Sequence, residues 1–195
     1  MKQQISLQQY RGIDLAILAA VMGGIQLAIH IAATVWFSDQ LYIVSPVAIL
    51  VALVMMRWGP WAAIHAVVGG VFYAVISSGS WQHFVIYGVG NAFALLSLII
   101  FKISTKEKVR LSALGTMGFA LCVQVLMLLG RAGVAALLGY EWAACLGFIT
   151  TDALSILFTV CIAWAIRRID GLFEDQIHYL LRIQQEQSTK GGEQL

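Results

Sequence analysis

Apolar positions in this chain come in long runs rather than in alternation. A helix needs roughly 20 apolar residues to cross a hydrocarbon layer of about 30 Å. The sequence offers six such runs, at approximately residues 12–37, 42–57, 60–78, 82–103, 111–139 and 143–167, the second short and the fifth long. Turn-forming or charged stretches separate them: Ser38-Asp39-Gln40, Trp58-Gly59-Pro60, Ser78-Gly79-Ser80, Ser104 to Arg110, and Gly139-Tyr140-Glu141. Period-2 alternation is missing over these lengths, which speaks against a β-barrel. The expected architecture is all-α, a polytopic bundle of six transmembrane helices over residues 1–168.

Small residues form stripes on two of these helices. Ala16, Ala20, Gly24, Ala28 and Ala32 recur every fourth position in the first, and Ala62, Ala66, Gly70, Ala74 and Ser78 do so in the third. Such stripes let backbones approach closely where lipid gives no hydrophobic drive for association. For the third helix the expectation is packing within the bundle.

Composition agrees with a lipid solvent. The chain has 195 residues, 60% hydrophobic and 11% charged, with a mean hydropathy of +0.84, too little charge to dress the outside of a soluble domain. Where the charges fall decides more. Lys2, Arg11, Arg57, Lys102, Lys106, Lys108, Arg110, Arg167, Arg168, Arg182 and Lys190 all lie on one side of a six-span arrangement, and Arg131 is the exception among the twelve basic residues. The opposite loops carry Asp39 and Glu141, so the positive-inside rule predicts N-in, C-in: a multi-pass cell-membrane protein with both termini cytoplasmic.

The start, MKQQISLQQYRG, leads into an apolar run too long for a cleavable signal and reads as an uncleaved first helix. After Arg168, residues Ile169, Leu172, Phe173, Ile177, Leu180 and Leu181 recur at helical spacing. Residues 169–195 are therefore expected to form a cytoplasmic amphipathic helix with a disordered polar tail. Its Asp170, Glu174 and Asp175 disfavour adhesion to anionic lipid and favour packing on the bundle or a partner, the alternative being a solvated helical tail with no specific role. Cys122, Cys145 and Cys161 are odd in number and lack CxxC spacing, so they read as small buried residues and not as disulfides or metal ligands.

One layer of polar residues interrupts the grease. Arg131 and Asp152 stand at similar distances before and after a turn near Tyr140 to Trp142, so an antiparallel hairpin brings them to one depth. An unpaired charge there would cost several kcal/mol, so each needs a partner or a wet cavity. Asn91 and His30 fall in the same outer half, with Thr150 and Thr151 adding hydroxyls. Above this layer Trp36, Phe37, Tyr42, Trp81, Gln82, His83, Tyr87, Tyr140, Glu141 and Trp142 gather in or beside outer loops. Together they predict a lidded pocket in which rings stack on a flat heterocycle while Arg131, Asp152 and Asn91 fix its polar edge. The plainer alternatives are a register-fixing ion pair beneath an interfacial aromatic belt. His65 reads as a packing or hydrogen-bonding residue, and the GVGN of Gly88 to Asn91 as a site of close helix packing and not a nucleotide loop.

A chain of this length with six spans, both ends inside and Ala16-x-x-x-Ala20 near the cytoplasmic end of its first span resembles the substrate-binding S components of energy-coupling factor (ECF) transporters. The resemblance implies a non-enzymatic subunit without cofactor of its own, which captures a vitamin or related water-soluble nutrient under its outer loops. It implies Ala16 and Ala20 as the docking pair for a transmembrane coupling subunit driven by two ATPase subunits, which use the ATP, and a toppling motion that releases substrate inside. No partner nucleic acid is expected. No substrate signature is recognised, and riboflavin-like, thiamine-related, pteridine-like and corrinoid ligands all remain. Three other functions compete: a stand-alone secondary transporter, a haem protein using His30 and His83, and an intramembrane hydrolase using the serines of Ser77 to Ser80.

Overall fold

The computed structural model describes residues 6–36 and 44–192, with side chains through residue 186. Lys2, Phe37, Asp39 and Tyr42, and the side chain of Lys190, lie outside the described residues. The described chain is helical, with no strands. Helix α1 spans Leu7–Trp36, α2 Val47–Trp58, α3 Ala62–Ile76, α4 Trp81–Ala92, α5 Ile100–Ile103, α6 Lys106–Leu111, α7 Ala113–Leu137, α8 Trp142–Thr150, α9 Ala153–Ile166 and α10 Gln176–Gly192. Among the described residues, five helical stretches are long and apolar enough to cross a membrane: Leu7–Trp36, Val47–Ile76, Trp81–Ile103, Ala113–Leu137 and Trp142–Ile166.

The second of these stretches doubles back. Gly59 takes φ 60° and ψ −122°, a backbone state that L side chains rarely adopt, and Pro60 starts the tight 3-10 turn Gly59–Trp61. Val47, at the start of α2, then lies against Gly69, well along α3: a Cβ added at Gly69 would come within 2.9 Å of Val47 Cγ1. At 1.5 Å per residue, α2 is about 18 Å long, too short to cross a bilayer unaided. All its residues are buried, as expected of a helix that is apolar all round. It forms the centre of the main core together with Met22, Phe119, Val123 and Met127.

Close packing follows the glycines. A Cβ on Gly130 of α7 would fall 2.2 Å from the carbonyl oxygen of Gly90 in α4, and one on Gly70 of α3 would fall 2.2 Å from the carbonyl oxygen of Tyr87. The backbones of α3, α4 and α7 therefore touch, as the reading of Gly88 to Asn91 anticipates. The small stripe of α3 serves the interior as expected, with Ala62, Ala66, Gly70 and Ala74 buried. On α1 the stripe faces outward: Ala16, Ala20, Gly24 and Ala28 are exposed.

The last apolar run and the cysteines differ from expectation. The last apolar run is not one helix, because α8 ends at Thr150 and α9 restarts after Asp152. Aspartate is a poor helix-interior residue, and its side chain here turns away to Arg131. Among the cysteines, Cys145 is buried, whereas Cys161 is exposed and Cys122 intermediate.

At the end where the basic residues gather, charges clasp the bundle shut. Asp14 of α1 accepts from Arg57 Nη2 at 2.6 Å, Arg57 Nε at 2.9 Å and Trp58 Nε1 at 2.6 Å. Arg57 Nη1 also donates to the Gly171 and Leu172 carbonyls, drawing in the segment before α10, whose Phe173 is fully buried. Lys106 pairs with Asp175 at 2.6 Å, Arg110 with Glu174, and Arg182 with Asp170 at 2.7 Å. Glu174 and Asp175 thus pack on the chain's own basic segment, one of the roles expected of them, whereas Asp170 pairs with Arg182 within the tail. Burial alone would raise the Asp175 carboxyl, yet the Lys106 ammonium and the amides of His178 and Ile177 hold it below its usual range. Helix α10 runs on to Gly192, so the polar end expected to be disordered is helical as far as described, consistent with its run of Gln, Glu and Lys, good helix formers.

Candidate functional site

Arg131 is 3% exposed and sits one residue after Gly130, where α7 touches α4. A Cβ on Gly90 would meet the Arg131 backbone at 2.7 Å, so the helix contact fixes where the guanidinium starts. Its Nη1 forms an ion pair with Asp152 Oδ2, and its Nε donates to Asn91 Oδ1 at 2.7 Å. Asn91 is in turn held by its own Nδ2, which donates to the Ala66 carbonyl at 3.2 Å. Ser155 Oγ, in the first turn of α9, accepts from the Ser45 backbone N–H at 2.9 Å. This ties the start of α2 to the same layer. A buried arginine with carboxylate and amide partners in an apolar bundle meets the condition under which such a charge persists in lipid.

Aromatic rings stand beside it. The guanidinium carbon lies 4.8 Å from the Tyr87 ring centre, within cation–π range. Tyr87 packs on Tyr73 at 4.7 Å between centroids, and His83 stacks near it at 6.3 Å. A void of about 10 Å³ is bounded by Ser45, Val47, Tyr73, Tyr87, Asn91, Arg131 and Asp152. A second, also about 10 Å³, is bounded by Gln26, Ile29, His30, Val44, Ser45, Pro46, Tyr73 and Ile76. Each is large enough for about one water, so among the described residues these side chains leave no roomy pocket at this layer.

Of the residues singled out in the sequence, Arg131, Asp152, Asn91 and Tyr87 converge, with His83 at the edge and His30 on the neighbouring void. Trp36, Trp81 and Trp142 are 75, 64 and 79% exposed and do not line either void; as rings at helix ends they suit a membrane interface. Glu141 is exposed at the start of α8. Thr150 and Thr151 do not join the layer, because their hydroxyls donate to the Leu146 and Gly147 carbonyls of their own helix. Ser80 and His83 approach at 3.0 Å as a capping box on the first turn of α4, a local role for the serine considered as a nucleophile. His65 is fully buried with Nε2 3.0 Å from the Leu15 carbonyl oxygen, the packing role expected of it.

Sequence reasoning passed over Gln26, Ser45, Tyr73 and Ser155. Gln26 and Tyr73 lie in uninterrupted apolar surroundings, where neither periodicity nor motif marks them. It also missed a buried link between α7 and α9, in which Thr159 Oγ1 donates to Gln124 Oε1 at 3.1 Å.

A cleft of about 510 Å³ lies elsewhere, at the basic end between α6 and α10. Its Lys106, Arg110 and Arg182 are already matched by Asp175, Glu174 and Asp170, so it offers little unmet charge. Among the described residues no group of three or more His, Cys, Asp or Glu side chains converges as a metal site. No known protein family, curated protein or solved structure matches this chain.

Proposed function

We propose that this protein is the membrane-embedded substrate-capture subunit of an ECF-type importer for a small water-soluble nutrient, working without catalysis of its own. The chain crosses the membrane six times, with Val47–Ile76 as a short hairpin, and the clasped basic end, with both termini, faces the cytoplasm. The observation that carries this reading is Arg131. An arginine held by Asp152 and Asn91 among tyrosines, deep in an apolar bundle at the end away from the basic cluster, is costly to keep and suited to the polar edge of a ligand.

Both voids are small, and on this reading the protein without substrate is closed. Loading requires the side chains around Tyr73 to part, with the ligand's acceptor groups taking a share of Arg131 from Asp152. The exposed Ala16 and Ala20 flank supports the second half of the proposal, docking of a transmembrane coupling subunit that works with two ATPase subunits.

Co-purification with an ECF module and uptake in reconstituted vesicles test it. Ala16→Trp with Ala20→Trp should abolish assembly and uptake while leaving the isolated chain folded. Intact assembly and uptake in that variant would remove the docking claim. Uptake by the chain alone, driven by an ion gradient, would replace the proposal with a stand-alone transporter.

A further inference from the structure

Gln26 stands about two-thirds of the way along α1, and it is 3% exposed. Among the described residues neither its Nε2 nor its Oε1 has a hydrogen-bond partner. A primary amide out of water with donors and acceptor both unmet is unfavourable in any fold, and more so in lipid. The side chain borders the second void with His30, Ser45 and Tyr73, and Ser45 and Tyr73 also border the void under Arg131. The two voids therefore adjoin at Ser45 and Tyr73.

We infer that Gln26 is a ligand-reading residue of the capture site, and that the ligand is a planar heterocycle with a lactam or imide edge. A glutamine amide presents an N–H donor and a C=O acceptor side by side, the complement of a ring N–H next to a ring C=O. A flat ring that turned Tyr73 aside would join the two voids. It would place its lactam edge on Gln26, lie against Tyr73 and Tyr87, and direct an acceptor at its far side to Arg131. The unmet amide is then the cost of readiness: Gln26 lowers the stability of the empty protein and is satisfied on binding. This inference rests on the nutrient-capture reading and narrows its ligand class.

The test uses detergent-purified full-length protein and its Gln26→Met variant, with riboflavin and folic acid as lactam-bearing probes. N3-methylriboflavin, whose ring donor is blocked, and thiamine, which has no lactam, serve as comparisons. Titration calorimetry and thermal unfolding are the readouts. The wild type should bind at least one lactam-bearing probe. Where riboflavin is bound, N3-methylation should weaken it about tenfold or more. Gln26→Met should bind the lactam-bearing probe at least about tenfold more weakly and lose the discrimination against methylation. Its ligand-free melting temperature should nevertheless rise by about 2 to 8 °C, because the unmet amide is gone. Equal affinity in wild type and Gln26→Met overturns the role of Gln26, as does a lower melting temperature in the ligand-free variant. Binding of thiamine with neither lactam-bearing probe overturns the ligand class and leaves nutrient capture standing. No binding of any probe overturns the inference, whereas the nutrient-capture reading falls separately, by the assembly and uptake assays.

Discussion

Replacing Asp152 with asparagine keeps the size of the side chain and deletes its charge. The two side chains of the pair are 4% and 15% exposed, so solvent screens neither well. Removing one member of a buried pair strands the other, at about 3–5 kcal/mol. Arg131 keeps Asn91 Oδ1 at 2.7 Å and the Tyr87 ring at 4.8 Å, which puts the expected loss near the lower figure, about 3 kcal/mol. For a chain of this size that lowers the melting temperature by roughly 6–12 °C. Arg131→Met combined with Asp152→Asn leaves no stranded charge and should recover most of the loss, a coupling of about 2 kcal/mol. Thermal unfolding of the four proteins in one detergent, followed by tryptophan fluorescence, measures the cycle. Strict additivity, or Asp152→Asn within about 0.5 kcal/mol of wild type, would refute the buried ion pair as the organiser of this layer.

Two further variants or conditions probe the frame around it. Gly130→Ala puts a methyl group where 2.2 Å separates it from the Gly90 carbonyl oxygen; it should force α4 and α7 apart and cost about 1–3 kcal/mol or more, read by thermal unfolding. At the basic end, the depressed Asp175 carboxyl contributes stability that is fully present above its ordinary value of 3.8 and is lost as pH falls through the lower folded value. Limited proteolysis of α10 should therefore accelerate on acidification below that range, and Lys106→Met should show less of this acid dependence than wild type.

Much of this was legible in the sequence because lipid enforces simple rules. Long apolar runs located α1, α4 and α7, and the facing positions of Arg131 and Asp152 about one turn predicted their pairing. The stripe on α3 and the glycines of α4 announced close packing. What escaped depended on three-dimensional direction. An apolar run does not reveal that Asp152 breaks the last helix to reach Arg131, nor that Thr150 and Thr151 spend their hydroxyls on their own backbone. Tryptophans near a pocket and tryptophans at a membrane interface have the same sequence signature, and here Trp36, Trp81 and Trp142 point outward. Gln26 was invisible because a single amide in a helix carries no meaning until its neighbours are known.

Native mass spectrometry of the protein, gently purified from membranes of a host supplied with mixed water-soluble vitamins, addresses capture most directly. One small heterocyclic molecule per chain is expected on the wild type and is expected to be lost from Arg131→Met. A bare wild-type chain, or a molecule equally retained by Arg131→Met, would contradict capture beneath the outer half of the bundle.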